Sequence, residues 1–170
     1  QFIQLDKNIL RKNYGIANDK KVLFFGATQL NQKRKGFDYL IESLNNLHSQ
    51  LDVVDRENIF LLIAGSNDEN LLTSLPFNYL SLGLIKNAQD FLETYQLSDV
   101  FLNTSIDDIG PYMLIEAMLS KCLVITYDVG LATDLIINNE TGFLNKTKDY
   151  ISYSSSIFKA INLNEKEKKI

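Results

Sequence analysis

Three short, uninterrupted apolar runs do most to constrain what this chain can fold into: KVLFFG at 21–26, IFLLIA at 59–64 and LVITY at 123–127. Each is too short for a helix and lacks the alternation of a strand with one wet face, so each reads as a strand buried on both faces. Between the first two, helical spacing takes over, with Phe37, Leu40, Ile41, Leu44 and Leu47 along one face. Weaker strands are expected at 79–82, 100–102 and 142–144, and further helices at 88–95, 113–120, 131–138 and 150–163. Asp6 can cap a lead-in helix that carries Ile9 and Leu10 inward and stops at Gly15. Strands and helices in alternation predict an α/β fold, a doubly wound, Rossmann-like parallel sheet covered on both faces. Ligands of such sheets bind beyond the carboxyl ends of the strands, where strand order reverses. The loops that matter are therefore 27–36, 83–87, 103–112 and 128–132.

With 170 residues and a 45% hydrophobic share, the chain is one domain's worth and can build a full core. A net charge of −4 gives no broad footprint for nucleic acid, and the one dense basic run, Lys33-Arg34-Lys35, points to a small anionic ligand instead. No apolar stretch is long enough to span a bilayer, and the first residues lack the order of a secretory signal. Cys122 stands alone, so no intrachain disulfide can form, which fits a reducing compartment and an expected cytoplasmic location. Abundant Asn, Lys and Ile fit a bacterial source.

Lys33, Arg34 and Lys35 sit just before a helix N-terminus, where the helix dipole prefers negative charge. A phosphate held by loop N–H groups, Arg34 and Lys35 resolves that conflict, and a solvated basic loop is the alternative. The spacing matches neither a P-loop nor a Rossmann glycine fingerprint. The second candidate follows the strand at 100–102: Asp107 and Asp108 precede a helix on which Glu116 lies among Met113, Leu114 and Ile115. A carboxylate in apolar company needs hydrogen-bond partners, which the hydroxyls of a ribose or hexose can supply. Alternatively an Asp caps the helix and Glu116 pairs with a surface lysine. His48, on the outer side of its helix, has no second His for a metal site or triad, and Cys122 reads as a core thiol. No metal is expected, because the acids are not interleaved with other donors at a recognised spacing.

Taken in order, these segments resemble the C-terminal domain of the group-1 (family 4) retaining glycosyltransferases of the GT-B fold. Lys35-Gly36-Phe37 resembles the family's phosphate loop, Leu62-Ile63-Ala64-Gly65 its strand end, and Leu82-Gly83 its base-binding loop. Ser98-Asp99-Val100-Phe101-Leu102 stands where the family has a similar Ala-Asp-Val-Phe-Val strand. The most specific piece is the acid, seven residues, Glu pattern from Asp108 to Glu116, followed by Asp134-Leu135-Ile136 and Thr141-Gly142-Phe143. The resemblance implies that Lys35, with Arg34, neutralises the leaving diphosphate, and that Asp108 holds hydroxyls of the transferred sugar. It also implies that Glu116 accepts from the ribose, that Ile85 meets the base through its main chain, and that the backbone of Gly110, Pro111, Tyr112, Met113 and Leu114 approaches sugar and phosphates.

Departures from the family pattern are Asp108 for a more usual Glu, Ala27 for an arginine, Pro111 for a Gly, and Lys121 and Leu123 for a Gly and a Pro. Pro111 has no N–H to donate, and a non-Gly residue in a left-handed turn at 121 costs on the order of 1 kcal/mol. Residues 1–170 then read as a donor-binding domain, half of a GT-B fold, without its N-terminal acceptor domain and inactive alone. The expected ligand is a UDP-sugar or GDP-sugar carrying a hexose for a polysaccharide or glycolipid. No cofactor is implied, and any peripheral membrane contact runs through the other domain. Rival readings are a non-catalytic sugar-nucleotide-binding module, a nucleotide-sugar 2-epimerase, which needs more acid and base groups than Asp108, and a receiver domain, whose acidic pocket is replaced by Gly26-Ala27-Thr28.

Overall fold

In the computed structural model, residues 4–66, 69–108 and 112–163 are described. Six parallel strands run in the order β3-β2-β1-β4-β5-β6: β1 Lys21–Gln29, β2 Ile59–Ser66, β3 Asn78–Gly83, β4 Val100–Asn103, β5 Leu123–Tyr127 and β6 Gly142–Asn145. The order reverses between β1 and β4, which register Leu23 against Val100 and Phe25 against Leu102. The helices are α1 Lys7–Asn13, α2 Phe37–Gln50, α3 Val53–Asn58, α4 Glu69–Leu72, α5 Ala88–Leu97, α6 Tyr112–Leu119, α7 Ala132–Leu135 and α8 Tyr150–Asn162. None among the described residues is long and apolar enough to cross a membrane.

Alternate residues of the strands build two cores. Leu23 and Phe25 of β1, with Leu61, Leu102 and Ile125, face Leu40, Leu44 and Leu47 of α2 and Ile157 of α8. Val22 and Phe24, with Leu62, Phe101 and Val124, face Leu10 of α1, Tyr95 and Leu97 of α5, Leu114 of α6 and Ala132. Burying a side chain of this size contributes roughly 1.5–3 kcal/mol, so both faces of each strand stabilise the fold.

At the amino edge of the sheet, Asp99 ties α1 to the strands. Its carboxylate accepts from Lys7 at 2.6 Å, Arg11 at 2.7 Å and the Val22 N–H at 2.8 Å. Burial alone would raise the pKa of Asp99, but the two cations and these hydrogen bonds outweigh it and hold the carboxyl below its ordinary value. Arg11 is also satisfied by the carbonyls of Leu97, Asn18 and Lys20.

Several expectations need correction. Asp6 caps α1 and Gly15 turns left-handed with φ 69°, yet Ile9 points out and Arg11 points in with Leu10. Helices α3 and α4 lie where the sequence pattern predicts none. The helix expected over 131–138 shrinks to α7, because Ile136 is already extended and Thr141 closes a turn on Ile137 through its N–H and hydroxyl. His48 is half-buried, edge-on to Phe77 with centroids 5.3 Å apart, rather than on the outer side. Cys122 is fully buried, as expected.

Candidate functional site

Strand order reverses between β1 and β4, and the loops that follow these two strands are stitched together beyond their carboxyl ends. After β1 the chain forms a 3-10 turn at Lys33–Lys35 and reverses at Gly36, whose φ of 68° suits a residue without Cβ. A Cβ at Gly36 would collide with the Thr104 carbonyl oxygen from the β4 loop. The Thr104 hydroxyl is shared between the carbonyls of Lys35 at 3.1 Å and Gly36 at 2.9 Å, and the Ile106 N–H donates to Arg34 O at 2.8 Å.

That stitching brings two expected residues together. Lys35 Nζ lies 2.7 Å from Asp108 Oδ2, and both side chains are partly buried. Arg34, expected beside Lys35, is exposed and engages the β4 loop through its carbonyl. The amides of Lys35 and Gly36 are used inside the 3-10 turn, donating to Gln32 O and Lys33 O respectively, so they do not serve a phosphate. The start of α2 has no side-chain cap, so its first N–H groups have no side-chain acceptor.

The other expected residues frame α5 and α6. Glu116 lines a groove of about 380 Å³ between these helices with Ala88, Gln89, Phe91, Leu92, Tyr95 and Leu119. Its partner is the hydroxyl of Tyr95, which donates to Oε2 at 3.2 Å, not a surface lysine. Ile85 is half-buried in a separate cavity of about 420 Å³ with Tyr14, Leu82, Leu84, Lys86, Asn87, Asp90 and Thr94, so both spaces flank the start of α5. Met113 packs its terminal methyl against Gly26 at the end of β1, Leu114 is core, and Tyr112 is 77% exposed at the head of α6. Gly110 and Pro111 lie outside the described residues, and so does the stretch in which a helix-capping Asp would act.

Two contributors carry no signal of their role in the sequence. Thr104 belongs to no pattern of its own and matters only because β1 and β4 are neighbours. Tyr95 is readable as an inward position of α5, but its hydroxyl's target on α6 is not.

A sequence model described as glycosyl transferases group 1 matches residues 6–170. The chain belongs to this family. It is 31% identical over 165 residues to the capsular polysaccharide biosynthesis glycosyltransferase CapM of Staphylococcus aureus, covering 94% of this chain and 42% of CapM. Among solved structures it is similar to the C-terminal domain of LpcC, a group 1 glycosyl transferase from Francisella tularensis. There the TM-score is 0.79 at 18% identity, over 99% of this chain and 88% of that one. It is also similar to HepE of Anabaena, solved with UDP and glucose, with a TM-score of 0.74 at 20% identity over 96% of this chain and 44% of HepE. The chain thus spans less than half the length of CapM and HepE. The fold is that of a GT-B glycosyltransferase domain.

Proposed function

We propose that this chain is the C-terminal, donor-binding domain of a retaining, metal-independent glycosyltransferase. In this reading it takes a hexose from a UDP-sugar and serves a bacterial polysaccharide or glycolipid acceptor bound by a partner N-terminal domain. The carrying observation is the Lys35–Asp108 pair, a cation and a carboxylate 2.7 Å apart at the point where strand order reverses. Such a pair suits a sugar diphosphate, whose phosphates draw the ammonium and whose sugar hydroxyls donate to the carboxylate. Lys35 and the start of α2 then stabilise the diphosphate as negative charge develops on it, the step at which fixed donors lower a barrier most. Glu116 accepts from the ribose, and Ile85 lies beside the base. UDP is favoured over GDP because HepE was solved with UDP. Transfer in this reading also needs an N-terminal domain, since the chain matches only 42% of CapM.

Calorimetric titration with UDP, GDP and ADP, without added metal, tests the reading on the wild-type chain, Lys35→Ala and Glu116→Ala. Binding of one diphosphate, weakened in both variants, is expected. No binding, or binding indifferent to either substitution, overturns it. Sugar transfer by this chain alone overturns the need for an N-terminal domain, and tight binding with no turnover once an acceptor domain is supplied favours a non-catalytic module.

A further inference from the structure

Tyr95 sits in a cage of phenylalanines. Its ring meets Phe24 edge-on at 5.3 Å and Phe101 edge-on at 5.5 Å, and stacks on Phe91 at 6.3 Å, with 1% of the residue exposed. A phenylalanine would fill the same space, and a buried hydroxyl costs stability unless it is bonded. The oxygen of Tyr95 therefore answers to its one described acceptor, Glu116 Oε2 at 3.2 Å.

Glu116 stands on the exposed side of α6 at the mouth of the groove. An unrestrained glutamate there samples several rotamers and loses that freedom on binding a ligand. We infer that Tyr95 is a positioning residue: its caged hydroxyl pins one oxygen of Glu116 so that the other is presented to the ribose hydroxyls of the donor nucleotide. Tyr95 itself touches no substrate. Burial, reinforced by the Glu116 charge, pushes the Tyr95 hydroxyl far above its ordinary pKa, so it remains a donor throughout the working pH range. The inference rests on the nucleotide reading above.

The test is calorimetry with UDP and with 2′,3′-dideoxyuridine diphosphate, which lacks both ribose hydroxyls, on wild type, Tyr95→Phe, Glu116→Ala and the double variant. If GDP or ADP proves to be the ligand, it and its dideoxy form replace the uridine pair. Tyr95→Phe is expected to weaken UDP binding about five-fold, the size of one hydrogen bond's net contribution. It should leave the dideoxy analogue unaffected and cost nothing further once Glu116 is alanine. Equal losses for both nucleotides, or losses that add in the double variant, indicate a merely structural tyrosine and overturn the inference. A loss in Glu116→Ala with none in Tyr95→Phe overturns it alone, whereas undiminished UDP affinity in Glu116→Ala overturns the nucleotide reading and this inference with it. Should Tyr95→Phe not fold, the ring-carbon resonance of labelled Tyr95 in the wild type decides: it must move with UDP and not with the dideoxy analogue, and equal responses overturn the inference.

Discussion

Lys35 Nζ lies 2.7 Å from Asp108 Oδ2, so the two side chains proposed to hold opposite ends of a sugar diphosphate hold each other in the structure. The pair has a consequence of opposite sign for two ligands. A diphosphate must draw Lys35 away from Asp108, whereas a complete nucleotide sugar replaces that partner with its own hydroxyls. Asp108→Asn should therefore leave UDP binding as tight as before or a few-fold tighter, while a UDP-hexose loses its advantage over UDP. Lys35→Ala should weaken both about ten-fold or more, the scale of a charge-assisted hydrogen bond to phosphate. Calorimetry with the two ligands checks this. Parallel losses for UDP and UDP-hexose in Asp108→Asn would contradict the exchange of partners.

Gly36 is where the two loops touch. With φ at 68° and the Thr104 carbonyl where a Cβ would go, Gly36→Ala has both a left-handed backbone and a collision to absorb. Gly15 has φ 69° with nothing within 4 Å of a Cβ, so Gly15→Ala isolates the backbone cost of about 1–2 kcal/mol. Gly36→Ala is expected to exceed that and also to weaken UDP binding, because Thr104 and Lys35 must part. Urea midpoints for the two variants, taken at constant m, with UDP affinity alongside, make the comparison. Equal destabilisation would mean that the loops yield at no cost.

What the sequence reveals of this fold and what it hides divide along physical lines. β1, β2 and β5 announce themselves because strands covered on both faces must be apolar at every position. The Lys35 and Asp108 loops fall side by side once strand order is assumed, and ligands gather where that order reverses. Arg11 rather than Ile9 turns inward because the deciding partner, Asp99, lies 88 residues away, beyond the reach of local pattern. The Tyr95–Glu116 bond is equally hidden, because it depends on how far α5 and α6 slide past each other, and helical periodicity carries no such information. The helix expected at 131–138 is cut short for the opposite reason: local hydroxyl and carbonyl partners around Thr141 outcompete helix continuation.

Asp99 sets an acid limit on the fold. Its pKa is lowered in the folded protein, so its contribution is fully present above the unfolded-state value of about 3.9 and is lost as pH falls through the folded-state value. Asp99→Asn should cost about 3–5 kcal/mol at neutral pH, because it leaves the Arg11 guanidinium buried without its counter-charge. The same variant should show a flatter loss of stability below about pH 4 than the wild type, because the neutral amide has no such proton to take up. Chemical denaturation at a series of pH values reads both effects. A variant that tracks the wild type at neutral pH would show that α1 docks without the pair.

Lys121 follows α6 with φ 60°, a left-handed conformation at the turn where the family more often has glycine. Its N–H closes on Met118 O and the next N–H, of Cys122, reaches Ala117 O, so the turn satisfies the last carbonyls of α6 and cannot easily relax. A side chain held there costs about 1–2 kcal/mol, and glycine returns part of that gain through its larger unfolded-state entropy, about 0.5–1 kcal/mol. Lys121→Gly should therefore stabilise the protein by about 0.5–1 kcal/mol, a rise of about 2 °C in melting temperature for a domain of this size. Because the Lys121 side chain is exposed and lines neither cavity beside α5, UDP affinity should not change. A fall in melting temperature would place the stabilising role in the lysine side chain rather than in the backbone it strains.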